Sequence, residues 1–334
     1  MPEEYIGDIK FDYRVLEHAQ TFLLLPSTEF MRFESLFRSK LYAAPLTASA
    51  CAYCVLVFLA LNLSGDKSYA FSEHWGYFPD RAIWEGQPWA LLTSVFVHLE
   101  IWHIAFNLYW LWILGGILEE SIGSLRFALF FVGAAWVSSA GELLLGGDLG
   151  IGMSGVGYAL FGFGWVARRK MAGFKAILND QTVNVFLVWL VFCIVLTKFG
   201  VMQVANWAHL FGLLFGASVG GLFVLKWRQW LCAVGLMVLL GGSVVPLKWC
   251  PLSPEWTSLQ AMAARSSSNE KQAIYWYRRT ISLGGDKSWA WANLAIIYAL
   301  RGDKAEYAAA LRELRDVDSK SADEIEADYG KPSS

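Results

Sequence analysis

The chain of 334 residues is 56% hydrophobic and 17% charged, with a formal net charge of −2 at neutral pH. That composition excludes a wholly water-soluble globule, because several apolar runs between positions 44 and 248 approach the ~20 residues needed to cross a bilayer. It also excludes a broad basic face for nucleic acid, and no block of like charge is long enough to form an acidic or basic tail.

Residues 1–43 are expected to form a short cytoplasmic segment, amphipathic in part and ending in Arg32, Arg38 and Lys40. Glu3, Glu4 and Asp8 are unlike a cleaved signal or an acidic-poor transit peptide, so the segment should stay on the mature protein. A first span follows at 44–63. The 64–88 loop is too polar to cross but rich in aromatics (Tyr69, Phe71, Trp75, Tyr77, Phe78, Trp84), which suits the lipid interface. Further spans are expected at 91–117, 126–146, 153–167, 183–202 and 204–225, and a seventh at 230–247 within the segment 227–250. The expected fold class is therefore all-α, a polytopic helix bundle embedded in the lipid bilayer. Cys51 and Cys54 have C-x-x-C spacing but fall inside the first span, where packing is the usual role.

Lys and Arg collect before the first span, between the fourth and fifth (Arg168, Arg169, Lys170, Lys175) and after the sixth (Lys226, Arg228). By the positive-inside rule these loops are cytoplasmic. The N-terminus is then inside, and seven spans put the C-terminal region outside. Six spans would return it to the cytoplasm, so its location depends on the run 230–247.

The second, fourth and sixth spans all run inward. Ser154 lies 14 positions before Arg168, His209 lies 17 before Lys226, and His103 and Asn107 lie 16 and 12 before Glu119. At ~1.5 Å per residue all four sit roughly 18–26 Å above the cytoplasmic boundary, in the outer half of a core about 30 Å thick. Asn107, one turn after His103, shares its helix face. Polar groups converging at one depth from three helices imply a water-reachable cavity. A serine hydroxyl becomes a useful nucleophile when a base can take its proton, and neutral imidazole suits that task. Ser154 and His209 fit these roles. Glu142 and Asp148 lie near the outer end of the third span but not at matching depth, which favours a dyad over a triad. His103, the Asn107 amide and the Ser154 backbone N–H are candidate donors to an oxyanion.

Alternatives stand beside each of these. A membrane serine among glycines such as Gly152 and Gly155 is commonly a packing residue, and the run Gly212-x-x-x-Gly216-x-x-x-Gly220 is a packing face in its own right. An intramembrane histidine can also be structural or belong to an ion pathway.

Gly152-Met153-Ser154-Gly155, followed by Tyr158-Ala159-Leu160 and Gly162, resembles the G-x-S-G element of the rhomboid intramembrane serine proteases. Ala208-His209-Leu210 with Gly212 is similar to that family's A-H-x-x-G element, and His98, His103 and Asn107 match its H-x-x-x-x-H-x-x-x-N pattern. Glu120, Gly123, Arg126 and Phe127 resemble its E-x-x-G-x-x-R-F turn. The resemblance covers 44–226. It implies Ser154 as nucleophile, His209 as base with Tyr158 stacked on the imidazole, and an oxyanion hole of His103, Asn107 and the Ser154 N–H. It also implies a supporting role for His98 beneath the loop above the site. Trp89-Ala90 departs from the Trp-Arg usual before the second helix, which leaves the anchoring of the 64–88 loop open. The implied substrates are transmembrane segments of other proteins, cut near the outer face, with small residues at the cut and helix-breaking residues below. No metal or organic cofactor is implied, and the implied location is the plasma (inner) membrane of a bacterium. Relatives that bind transmembrane clients without cleaving them are the alternative, against which both Ser154 and His209 argue.

Pro246, Pro251 and Pro254 mark a change to soluble helical character over 251–318. Trp256 and Trp291, Leu259 and Leu294, and Ala273 and Ala308 repeat at a period of 35, and Trp291-x-x-Leu294-Ala295-x-x-Tyr298 resembles a tetratricopeptide repeat. The expectation is a small helical module that binds a protein or peptide, with an ordinary four-helix cap as the alternative. Residues 319–334 are expected to be a disordered tail.

Overall fold

The computed structural model describes residues 43–66 and 68–329. The expected N-terminal segment up to residue 42, with Arg32, Arg38 and Lys40, and positions 330–334 lie outside the described residues. Those described are helical and contain no strand. Six helices are long and apolar enough to cross a membrane: α1 (Pro45–Leu63), α2 (Ile101–Ile122), α3 (Ser124–Gly146), α5 (Asp180–Lys198), α6 (Asn206–Val224) and α7, which spans Gln229–Leu247 with its final short turn. Between α3 and α5 lies α4 (Ser154–Ala167), apolar but shorter and almost completely enclosed by the others.

The bundle is built on one close helix pair. A side chain at Gly212 would strike the carbonyl of Gly155, one at Gly216 the carbonyl of Ala159, and one at Gly162 the carbonyl of Leu213. In lipid the hydrophobic effect does not drive helices together, so backbone proximity of this kind supplies the van der Waals contact that holds α4 against α6. Phe130, Phe163 and Phe215 close the layer between α3, α4 and α6, with ring centroids 5.6–5.7 Å apart. By contrast α7 buries no residue between Gln229 and Gly242 and has a mean hydropathy of 2.1, as a helix surrounded by lipid requires.

Several helix ends are closed by residues from elsewhere in the chain. The first turn of α1 has no local side-chain cap, and the buried Glu119 on α2 supplies one: its carboxylate accepts from Leu46 N (3.0 Å), Thr47 N (2.8 Å), Thr47 Oγ1 (2.8 Å) and Ser124 Oγ (2.7 Å). The acidic residue that organises this turn is thus Glu119, whereas its neighbour Glu120 is exposed. At the same end of the bundle Lys170 Nζ donates to the last carbonyl of α6, Val224 O, at 2.6 Å.

The second span differs from expectation. Residues 91–100 do not extend α2 but form short turns, Ala90–Thr93 and Ser94–Phe96, followed by an extended stretch. His98 therefore stands before α2 rather than on it. The expected tail also differs. Residues 319–329 form a helix, α12 (Ser319–Tyr329), because Ala322 and Ile325 are buried and Asp318 accepts from Ser321 Oγ (2.6 Å), Ser321 N (3.1 Å) and Ser288 Oγ (2.9 Å).

That helix completes a soluble unit of α8 (Pro254–Ser266), α9 (Glu270–Ser282), α10 (Lys287–Arg301), α11 (Lys304–Val317) and α12 around Tyr277, Leu294, Tyr298 and Leu314. Ser253, Asn269 and Asp286 cap the first three, each accepting from a backbone N–H in the first turn. The unit is joined to the membrane bundle rather than tethered to it. Trp256 is buried with Ile83, Leu91, Leu143, Leu149 and Cys250 in one apolar cluster. Trp84 Nε1 donates to Pro246 O (2.9 Å) and Cys250 Sγ to Leu143 O (3.0 Å). All of these contacts lie at the end of the bundle that carries Ser154, opposite the loop with Arg168 and Lys170.

Asp80 sits at that junction and accepts the Leu149 N–H at 3.1 Å. Burial, with Asp148 and Glu255 nearby, pushes its carboxyl up to about 6. A raised carboxyl favours the protonated folded state. Its contribution to stability is therefore complete below the ordinary value of 3.8 and is lost as pH rises through about 6. Asp80→Asn keeps an acceptor for Leu149 and removes the titration. Its unfolding midpoint should vary less between pH 4 and 7 than that of the wild type, a difference absent if Asp80 does not titrate in this window. Gly216→Val should lower the free energy of unfolding in mixed micelles by about 1–3 kcal/mol through clash with the Ala159 carbonyl, and an unchanged free energy would contradict the close packing.

Candidate active site

Ser154 is the first residue of α4 and His209 lies in the first turn of α6. The close approach of the two helices brings His209 Nε2 to 2.9 Å from Ser154 Oγ, although 55 positions separate them in sequence. His209 is 3% exposed, so the pair is shielded from bulk solvent on the imidazole side. Tyr158, one turn along α4, stacks on the imidazole with ring centroids 4.6 Å apart and planes inclined at 29°, and its hydroxyl donates to Phe186 O on α5 at 3.0 Å. Among the described residues His209 Nδ1 has no hydrogen-bond partner. If Ser154 donates to Nε2, Nδ1 carries the proton and no carboxylate receives it. Neither Glu142 nor Asp148 is bonded to that nitrogen.

Three contacts hold the loop that leads into Ser154. Leu149 N donates to Asp80 as described, Gly152 N to Ser94 O at 3.0 Å, and Met153 N to His98 Nε2 at 3.2 Å. The second ring nitrogen of His98 faces Phe96 O at 3.2 Å, so the tautomer that satisfies both contacts carries its proton on Nδ1. Burial, and then the neighbouring His103 ring, push His98 down to about 3, which keeps it neutral and able to accept. Gly152 has φ of +99°, and a side chain there would run into the His103 ring. Gly155 faces the Ser138 side chain just as closely.

His103 and Asn107 come from one face of α2, with the His103 ring 4.9 Å from that of His98. Asn107 is buried, and its Nδ2 donates to His103 O at 2.9 Å, which uses one of its two N–H groups. As the first residue of α4, Ser154 has a backbone N–H without an intrahelical acceptor. His103, Asn107, Ser154, Tyr158 and His209 all line one cavity of about 1040 Å³. Gly152, Gly155 and Gly212 do not line it; they permit the close approaches to His103, to Ser138 and between α4 and α6. An aromatic wall closes the cavity between α2 and α5: Trp110 lies 4.6 Å from Phe186 and Phe106 lies 5.9 Å from Trp189, centroid to centroid. No group of three or more metal-ligating side chains occurs among the described residues.

Sequence reasoning missed Asp80, because an acid in a polar loop carries no mark of its partner. It noted Glu142 but assigned it no role. The signal was available there, since a carboxylate in an apolar helix must find donors.

Residues 85–226 match the Rhomboid domain family. The chain is 35% identical over 182 residues to the protein named rhomboid protease GlpG from Serratia proteamaculans (strain 568), covering 54% of this chain and 62% of that protein. It is 31% identical over 200 residues to the rhomboid proteases GlpG of Salmonella choleraesuis (strain SC-B67) and Salmonella newport (strain SL254), covering 60% of this chain and 71% of each relative. The match thus spans just under two thirds of the Serratia protein and just over two thirds of the Salmonella proteins. With that coverage joined to the helix order and to a serine and histidine set face to face between α4 and α6, the chain belongs to the rhomboid family of integral membrane proteins.

Proposed function

We propose that this protein is an intramembrane serine endopeptidase that cleaves transmembrane segments of other membrane proteins with a Ser154–His209 dyad. The observation that carries the reading is the 2.9 Å contact between His209 Nε2 and Ser154 Oγ inside a cavity walled by membrane helices. Ser154 Oγ attacks the scissile carbonyl carbon while its proton passes to His209 Nε2. The carbonyl oxygen becomes an oxyanion that the Ser154 N–H, the free N–H of Asn107 and His103 stabilise. The imidazolium returns its proton to the leaving amine as the peptide C–N bond breaks, leaving an acyl ester on Ser154. Water, deprotonated by His209, then hydrolyses the ester. With no partner on Nδ1 among the described residues, the ring itself is held by stacking on Tyr158 and by its own helix, and no acid bonds to it.

A substrate helix must unwind before its carbonyl can be reached, since a backbone hydrogen bond broken in lipid finds no water to replace it. Helix-breaking residues near the cut are therefore favoured in substrates. The relatives named rhomboid protease GlpG support the activity and a bacterial inner membrane location. The basic loop between α4 and α5 supports a cytoplasmic position for that end of the bundle. With α7 crossing outward, the dyad and the C-terminal unit then both belong to the extracytoplasmic half. The antiparallel pairs α8/α9 and α10/α11, with their period of 35, form tetratricopeptide-like repeats that bind a protein or peptide beside the membrane. No observation favours a client-binding protein without proteolysis.

Purified protein reconstituted with a membrane-anchored reporter should release the reporter's ectodomain, and Ser154→Ala or His209→Ala should reduce kcat by about 10⁴-fold or more. Equal release by Ser154→Ala would refute the assignment of chemistry to this site.

A further inference from the structure

The helix that carries His209 starts without a cap of its own. Ala205 precedes α6 and has no side chain able to accept a hydrogen bond. The next polar residue, Asn206, does not cap it either: its Nδ2 donates to Thr197 Oγ1 (2.8 Å) and to Val204 O (3.0 Å), and its Oδ1 accepts from no group among the described residues. The Asn206 N–H finds Val204 O at 2.8 Å, but those of Trp207 and Ala208, next in the first turn, have no local acceptor at membrane depth, where such groups are costly. Glu142, one turn beyond Ser138 near the end of α3, is 5% exposed and reaches across to them: its Oε2 accepts the Ala208 N–H at 2.8 Å. Ala208 is the third residue of α6, the position whose N–H a capping side chain normally takes. A carboxylate also complements the positive end of the helix dipole.

We infer that Glu142 is a positioning residue for His209: it caps the catalytic helix from a neighbouring helix and so fixes the imidazole against Ser154 without touching the reacting atoms. His209 follows Ala208 directly, so loosening of that first turn displaces the base itself. The glycine contacts at Gly212 and Gly216 fix only how closely α6 approaches α4, and they lie beyond His209 along the helix. Lys170 holds the far end of α6 through Val224 O. At the near end, where the chemistry is placed, the Asn206 side chain reaches Thr197, and Glu142 is the group that holds the backbone of the first turn.

The inference rests on the protease reading, and the test separates the two. Reporter cleavage and amide hydrogen exchange are measured on the full-length protein in micelles for wild type, Glu142→Leu, Glu142→Gln and Glu142→Asp. Glu142→Leu leaves Ala208 N–H without an acceptor, and kcat should fall by about 10²-fold with KM little changed. Exchange should accelerate in the segment 206–212 and not in α3 or α4. Glu142→Gln retains a carbonyl acceptor and should recover most of kcat and of the protection. Glu142→Asp, one methylene too short, should behave like the leucine variant while keeping the charge, and it reads the same contact should Glu142→Leu fail to fold. Wild-type kcat in Glu142→Leu, equal losses in the leucine and glutamine variants, or unchanged exchange over 206–212 would each overturn the proposal. If the wild type shows no Ser154-dependent cleavage, the protease reading fails, while exchange over 206–212 still decides whether Glu142 caps α6.

Discussion

Everything at the candidate site depends on how closely two backbones approach. Ser154 and His209 can meet at hydrogen-bond distance only because α4 and α6 touch through Gly155, Ala159, Gly162, Gly212 and Gly216 with almost nothing between them. A helix pair separated by ordinary side chains stands 8–10 Å apart between axes, and at that spacing a serine and a histidine at these positions would need a bridging group. The small residues are thus the structural condition for the proposed chemistry as well as the adhesive of the bundle. The packing reading of the glycine run and the catalytic reading of the serine describe the same contact.

A second constraint is that a bilayer offers no water to loose backbone groups. Where the local sequence supplies no cap, this chain brings one from another element: Glu119 to the start of α1, Glu142 to the start of α6, and Asp80 to the loop before Ser154. Each is a carboxylate accepting backbone N–H groups, and each joins elements far apart in sequence. The arrangement converts a hydrogen-bonding need into a positional one, since the capped backbone must stay where the carboxylate is. His98 does the same with a neutral ring, accepting from Met153 one residue before the nucleophile.

How much of this was legible in the sequence follows from what kind of signal each feature leaves. Apolar length marks a span, so the crossing helices, including the lipid-exposed α7, could be placed from composition alone. Crossing parity then put Ser154, His209, His103 and Asn107 at one depth, and the cavity does collect them. Residues 91–100 were harder, because an apolar run at the end of a span looks the same whether it continues the helix or folds into short turns beneath a loop. The helix at Ser319–Tyr329 was hidden for the opposite reason: it is polar, and only Ala322 and Ile325 betray that one face is buried. The junction around Trp256, which welds the soluble unit to the 79–91 region, leaves no local pattern at all. It is a contact between segments some 170 residues apart, and its members look like any apolar residues beside prolines.

The central claim is that Ser154 is made nucleophilic by His209 across the α4–α6 contact. Peptide mapping by mass spectrometry after treatment of the full-length protein with a fluorophosphonate tests it most directly. A single adduct on Ser154 in the wild type, lost in His209→Ala while the variant remains folded, is the predicted result. An adduct on another residue, or undiminished labelling of Ser154 in His209→Ala, would contradict it.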